Sequence, residues 1–413
     1  MGADDWRQVL ALEARAGYGR RVAALTRRFG VAHLAAIENA AQEAYVRALE
    51  RWGEEGAPAD PRGWLLRVAG NVVLDGLRRD RRAVALSADH EEEHEEAREG
   101  ADETVDDELR LVFLACHPSL SRAAQIALTL RVAYGFETGQ IARAFLSDEP
   151  AIAQRIVRAK QRLRELDVRF EVPGPSELPS RMAAILDVLY QVFTEGYATT
   201  GSDGGIDDAL CAESLRLVRL LTGDARLTTP AAEALHALFC FHAARARARR
   251  AEDGGLLLLH EQDRSCWDGA LLDEGFLLLG RSARGVDASR FHAEAGIAAC
   301  HAAAANHAAT DWLQIVELYD ALRARAPSPV VDVNRALAVA HAHGAVAGLD
   351  ELDAIPEREL LARYPYALAA YAELHASLGN VDEARAFLDR ALAHQPSSAE
   401  RALLQRKRAG LWR

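Results

Sequence analysis

Cysteine is scarce here. The five thiols, Cys116, Cys211, Cys240, Cys266 and Cys300, are odd in number and include no C-x-x-C pair, which argues against a disulfide scaffold. Aromatic residues make up 6 % of the chain and methionine occurs twice. No apolar run approaches the roughly 20 residues a membrane-spanning helix needs; the run of leucines that starts at Leu256 ends at Leu259. The opening Met-Gly-Ala-Asp-Asp-Trp has no basic stretch and no apolar core, and Trp6 stands where a myristoylation signal needs Ser or Thr. No membrane contact is expected, and a cytoplasmic location is.

Alanine, leucine and arginine dominate instead, a mixture that favours helices throughout. An all-α chain is expected. Its 413 residues suffice for about two to four domains. The net charge of −12 is spread unevenly. Residues 1–88 hold 14 basic and 11 acidic groups, residues 89–108 hold 12 acids and one arginine, and residues 109–170 hold 10 basic and 5 acidic groups. Two basic modules are thus joined by an acidic strap, and polyanion binding belongs to the first 170 residues. The strap, which opens Asp89-His-Glu-Glu-Glu-His-Glu-Glu, reads either as a self-repelling spacer or as a segment that fills a basic groove on a partner.

In the first module Ala41, Ala44, Tyr45, Ala48, Leu49 and Trp52 step by three and four, the spacing of one helix face. Gln42, Glu43, Arg47 and Glu50 occupy the other face. A second helix is expected from Asp60-Pro61, a cap followed by a first-turn proline, through Trp64, Leu65, Val68 and Val72. It ends in Arg78, Arg79, Arg81 and Arg82, more cations than a helix dipole alone calls for. Asn71 and Asp75 share the polar side with Arg78, so an amide able to read a base edge lies beside groups able to hold phosphate.

The second module reads as helix, short turn, helix from Phe136 to Leu163, with Thr138 expected to cap the first helix, Ser147 or Asp148 the second, and Pro150 in its opening turn. Ile152, Ile156, Ala159 and Leu163 form an apolar stripe. Arg155, Arg158 and Arg162 form a basic one, with Gln154 near the N-terminal end and Lys160 on a flank. No acid occurs from Ala151 to Arg164, and such a helix after a turn suits the major groove.

The ordered pieces Gln42-Glu-Ala-Tyr-Val-Arg-Ala-Leu-Glu-Arg-Trp52, Pro61-Arg-Gly-Trp-Leu-Leu-Arg-Val-Ala-Gly-Asn71 and Asp75-Gly-Leu-Arg-Arg79 resemble the second conserved region of bacterial sigma factors of the extracytoplasmic-function type. The resemblance implies that Gln42, Glu43, Arg47 and Glu50 dock on core RNA polymerase. It also implies that Trp64, Arg67, Asn71, Asp75, Arg78 and Arg79 meet the minus-ten element of promoter DNA. The second module is similar to the fourth region, which implies that Gln154, Arg155, Arg158, Lys160 and Arg162 meet the minus-thirty-five element. Gln140 replaces a glutamate common in that region, and Asp148 and Glu149 place two negative charges at the start of the reading helix. The stretch from Asp107 to Leu120 resembles a subgroup with a long C-terminal extension, which is expected to regulate or support activity.

Pro173 to Pro179, with three prolines and a glycine, reads as the linker to that extension. The glycine-rich Thr199 to Gly205 lacks the Lys-Ser or Lys-Thr of a phosphate cradle and reads as a connector. Leu378 to Pro396 has the glycine, small residues and closing proline of a tetratricopeptide repeat, and Gly344 precedes Gly379 by about one repeat period. Cys116-His117, Cys240 with His242, and Cys300-His301 lack a second ligand pair at zinc spacing, so packed cysteines are expected and no metal or cofactor. Gln262 to Asp268 reads as an ion-paired brace rather than an active site built from His260, Asp263 and Arg264.

The expected organisation is residues 1–85, an acidic linker 86–108, a helix-turn-helix at 109–170, a helical extension 171–295, and repeats with a cap at 296–413. The chain is expected not to be an enzyme. Its expected partners are core RNA polymerase, promoter DNA, and an intramolecular, protein or ligand partner of the extension. The competing reading is a stand-alone helix-turn-helix regulator with a sensing repeat domain.

Overall fold

The computed structural model describes residues 5–85, 107–144, 147–198, 206–249, 257–284, 288–394 and 398–410. The strap from residue 86 to 106 and the loop 199–205 lie outside them. Every regular element among the described residues is helical, and none of these helices is long and apolar enough to cross a membrane. Two compact units divide at Gly196 and Tyr197.

The first unit opens with α1 (Asp5–Ala16), α2 (Tyr18–Phe29), α3 (Leu34–Glu55) and α4 (Pro61–Ala85). Asp60 caps α4 as its sequence requires, its Oδ1 accepting from the Gly63 amide at 3.0 Å. Leu65, Ala69 and Val73 form the buried stripe of α4 against Ala41, Ala44, Ala48 and Trp52 of α3. Fully burying a leucine such as Leu65 contributes about 2 kcal/mol. Leu49, expected inside, is 56 % exposed. It lies at the edge of the α3 stripe, and the alanines allow α4 to approach without covering it.

The unit continues with α5 (Asp107–Ala115), α6 (Arg122–Val132), α7 (Thr138–Ala144), α8 (Glu149–Glu165) and α9 (Leu178–Ala198). The last two residues assigned to the acidic linker, Asp107 and Glu108, instead start α5 and pair with Arg27 at 3.6 Å and Arg20 at 3.4 Å on α2. Thr138 does not cap α7 but begins it. The Gln140 side chain closes that end by accepting the Glu137 amide at 2.8 Å. Ile152, Ile156, Ala159 and Leu163 are all buried, as the spacing of α8 demands. Helix α9 also belongs to this unit, past the expected boundary at 170/171: Arg181 donates to the Phe113 carbonyl, and Arg122 reaches the Ala184 carbonyl and Asp187.

Glu38 of α3 sits at the join between the two expected modules with 1 % of its side chain exposed. It accepts from Arg131 Nε of α6 at 3.1 Å and from the Lys160 ammonium of α8. A carboxylate taken out of water this far is tolerable only with such partners.

The second unit holds α10 (Ile206–Gly223), α11 (Pro230–Ala244), α12 (Gly269–Ser282), α13 (Arg290–Ala303), α14 (Trp312–Arg325), α15 (Pro329–His343), α16 (Ala345–Asp353), α17 (Arg358–Leu361), α18 (Pro365–Ser377), α19 (Val381–Ala393) and α20 (Ser398–Gly410). Gly344 and Gly379 turn the chain between successive helices at φ +98° and +80°, where a side chain would be strained. The Gln262 to Asp268 segment is a brace, but not an ion-paired one. Arg264 lies over Trp267 and donates to the carbonyls of His301 and Ala304, satisfying the C-terminal end of α13.

Buried charge makes the stability of each unit sensitive to a single group. Glu38→Ala, which strands two cations, is expected to lower the unfolding free energy of the first unit by about 3–5 kcal/mol in urea titrations of the full chain; a loss below about 1 kcal/mol would contradict the buried pairing. His301 is pushed down to about 4 by burial, then by Arg245, Arg264, His307 and His341. Its unfolded form titrates near 6.5, so the unfolded chain holds the extra proton between those values and stability falls as pH drops through that window. At pH 5 the loss from this group is on the order of 2 kcal/mol relative to neutral pH, and His301→Gln should remove about that much of the second unit's loss of stability between pH 7 and 5, leaving the share of His236 and His242, whose imidazoles burial also lowers.

Candidate nucleic-acid interface

The outer face of α3 carries Glu43, Arg47 and Glu50, all exposed. Glu43 and Arg47 pair at 3.1 Å along the helix, a contact that contributes little in water. Val46 and Leu49 are exposed among them at 49 % and 56 %. Two apolar side chains thus lie in solvent within a ring of charge. Gln42 turns away from that face: in the amide orientation that satisfies both groups, its oxygen accepts from Arg131 Nη2 at 2.7 Å.

A shallow groove of ≈ 420 Å³ runs between α3 and α4, lined by Arg47, Glu50, Arg51, Trp64 and Val68 among others. Trp64 is half-buried at its wall, edge-on to Trp52 with ring centroids 5.4 Å apart. Arg67, Asn71, Asp75 and Arg78 follow one another by four, four and three along α4, and all are exposed. Arg78 rests 3.7 Å from Asp75, both side chains 68 % exposed, while Arg79 Nε donates to the Asp75 carbonyl at 3.2 Å. The Asp75 charge therefore sits inside the basic stripe, and Asn71 keeps its amide in solvent one turn earlier.

On α8 the sequence-derived residues divide. Gln154, Arg158 and Arg162 are exposed and Arg155 is half-buried on the outer side. Lys160 does not join them. Its side chain is 17 % exposed and pairs with Glu38 across the unit, and burial pulls its ammonium down to about 8. Lys160 follows Ala159 directly and lies four residues after Ile156, so it borders the buried stripe; the acid on α3 draws it inward. Val157, 61 % exposed, lies beside Arg158 on the solvent side. The N-terminal end of α8 opens at Asp148, whose side chain makes no capping bond, with Pro150 in the first turn.

Sequence reasoning missed Glu38. The signal was an acid between Ile37 and Ala41 on the apolar side of α3. Cys116 is a packed thiol as expected, buried with its Sγ 3.7 Å from Thr129 Oγ1, and burial raises it to about 11. Cys240 lies not with His242 but near His236 and Glu274.

Known proteins share these features in part. Residues 16–83 match sigma-70 region 2, and residues 181–283 match a family of unknown function, DUF6596. A protein of Rhizobium meliloti (strain 1021), uncharacterized protein R00370, is 38 % identical over 377 residues, covering 89 % of this chain and 88 % of that one. The probable ECF RNA polymerase sigma factor SigI of Mycobacterium tuberculosis, in strains CDC 1551 / Oshkosh and H37Rv, is 27 % identical over 187 residues, 44 % of this chain and 59 % of that protein. No solved structure matches. With α2 to α4 forming a sigma-70 region 2 and a DUF6596 segment following it, the chain belongs to the family of the Rhizobium meliloti protein.

Proposed function

We propose that the chain is a sigma factor that directs core RNA polymerase to promoters, with its C-terminal helices regulating or supporting that activity. The observation that carries the reading is the sigma-70 region 2 match over residues 16–83, joined to an exposed Arg67, Asn71 and Arg78 stripe on α4. The α3 face with Val46, Leu49, Arg47 and Glu50 is the polymerase-docking surface, and α4 meets the minus-ten element. Helices α7 and α8 act as a helix-turn-helix on the minus-thirty-five element through Gln154, Arg155, Arg158 and Arg162, with Lys160 reserved for Glu38. The chain itself is no enzyme; bond formation belongs to the polymerase. The turn glycines Gly344 and Gly379, both with positive φ between helices, support reading α15 to α19 as tetratricopeptide-like.

The Glu38 contacts bear on this function. Elements at minus ten and minus thirty-five are about 25 base pairs apart, roughly 85 Å along the duplex. A compact unit of nearly 200 residues has a radius of gyration of roughly 16 Å. A chain that grips both elements at once must therefore part α3 from α6 and α8, releasing Arg131 and Lys160 from Glu38.

Run-off transcription with purified core polymerase tests the proposal. A promoter-dependent transcript is expected with the full chain; binding to duplex DNA without a transcript would instead identify a stand-alone regulator. On α8, Arg158→Ala is expected to weaken binding of the polymerase complex to promoter DNA and to reduce the salt slope by about 0.9 for each phosphate left without its cation, with the unfolding midpoint unchanged. Lys160→Ala is expected to lower the midpoint first, and the reverse pattern would mean that the two side chains have been given each other's roles.

A further inference from the structure

Two neighbouring helices of the second unit bring a histidine, a cysteine and a glutamate together. His236 and Cys240 lie one turn apart on α11, and Glu274 faces them from α12. One ligand atom from each lies within 4.8 Å of the others. Cys240 is fully buried and the His236 side chain is 4 % exposed, whereas Glu274 is half-buried and opens the group to solvent.

The hydrogen bonds around His236 leave one nitrogen facing this cluster. The Thr222 hydroxyl of α10 has the Val218 and Arg219 carbonyls within donor reach at 3.1 and 3.3 Å and lies 2.9 Å from His236 Nδ1. Nε2 on the other side of the ring lies 3.2 Å from Glu274 Oε1. With the ring proton on Nδ1, two lone pairs face each other across that gap and a cation between them joins them; with it on Nε2, the proton itself bridges to Glu274. With metal bonds of about 2.0 Å to nitrogen and oxygen, a tetrahedral zinc separates those two donors by about 3.3 Å, which matches the observed gap.

We propose that His236, Cys240 and Glu274 bind a divalent cation of the zinc class, with water in the open fourth position. The donor set, one sulfur, one imidazole and one carboxylate, is of the borderline softness zinc prefers. On binding, the Cys240 S–H bond breaks, its proton leaves to solvent and the sulfur pair forms the S–metal bond, while Nε2 and Oε1 each supply a lone pair. Arg219 holds Glu274 through Nη2 on Oε2 at 2.5 Å and Nε on Oε1 at 3.1 Å. The Oε2 contact persists as Oε1 turns to the metal. Thr222 and Arg219 thus orient the imidazole and carboxylate from behind, as outer partners of metal ligands do. The metal would pin α10, α11 and α12 together within the DUF6596 segment. The site does not depend on the sigma-factor reading.

The test uses the full chain, stripped with chelator and titrated with Co²⁺ alone. One cobalt per chain is expected, with a thiolate-to-cobalt charge-transfer band in the near ultraviolet. Cys240→Ser should abolish the band, Glu274→Gln should weaken binding by roughly tenfold or more in chelator competition, and Cys266→Ser should leave both unchanged. Absence of the band in the unaltered chain, or its survival in Cys240→Ser, overturns the proposal. Should Cys240→Ser lose its helical circular dichroism, Glu274→Gln decides: unchanged cobalt affinity there overturns it equally.

Discussion

A single carboxylate, Glu38, sets how the first unit is put together. It lies on the apolar side of α3, where no free charge is tolerated, and its two oxygens are taken by Arg131 from α6 and Lys160 from α8. Through it the sigma-70 region 2 helices and the helices of the following module share one interior. The same contact sorts the cations of α8, drawing Lys160 inside and leaving Arg158 and Arg162 in solvent, where a phosphate backbone could reach them. Geometry and the proposed function then pull in opposite directions. Packing favours the closed unit, and two promoter elements tens of ångströms apart favour an open one. Arg20 with Glu108 and Arg27 with Asp107 add weaker ties between α2 and α5, screened by solvent and salt.

Much of this was legible in the residues. The stripe Ile152, Ile156, Ala159, Leu163 follows from helical period alone, and so does the exposure of Arg158 and Arg162 on its far side. Asp60 before Pro61 announced the start of α4 because that pairing satisfies orphan amides wherever it occurs. What stayed hidden was long-range pairing. Period places Lys160 on a flank but does not say that an acid 122 residues earlier waits beside it. Leu49 read as core because periodicity cannot tell how wide a stripe its neighbour covers, and small alanines make a narrow contact. The proline-rich stretch before α9 read as a boundary, yet Arg181 and Arg122 carry the packing across it. Sequence reasoning weighed Cys240 with His242 and passed over His236, one helical turn before it, and Glu274 comes from another helix.

The extension combines both kinds of joint. Val333, Ala336, Leu352 and Ala370 pack successive helices together and glycines at positive φ reverse the chain, while the buried Glu233 of α11 is held by Arg281 of α12 and by Arg284 just after it. Its polar ties include Arg264 holding the end of α13, the α10 to α12 cluster around His236, and Arg335 of α15 between Asp320 of α14 and Glu351 of α16. In the proposed function this region regulates or supports activity while the first unit grips polymerase and DNA.

The distance between α3 and α8 is the quantity on which the account turns. Labels at the exposed Asn39 of α3 and Glu165 of α8, read by pulsed electron resonance in the full chain, should give one short distance in the free protein, as the Glu38 contacts require. In a complex with core polymerase and promoter DNA they should move apart by tens of ångströms. An unchanged short distance in a complex that starts transcripts would contradict the account.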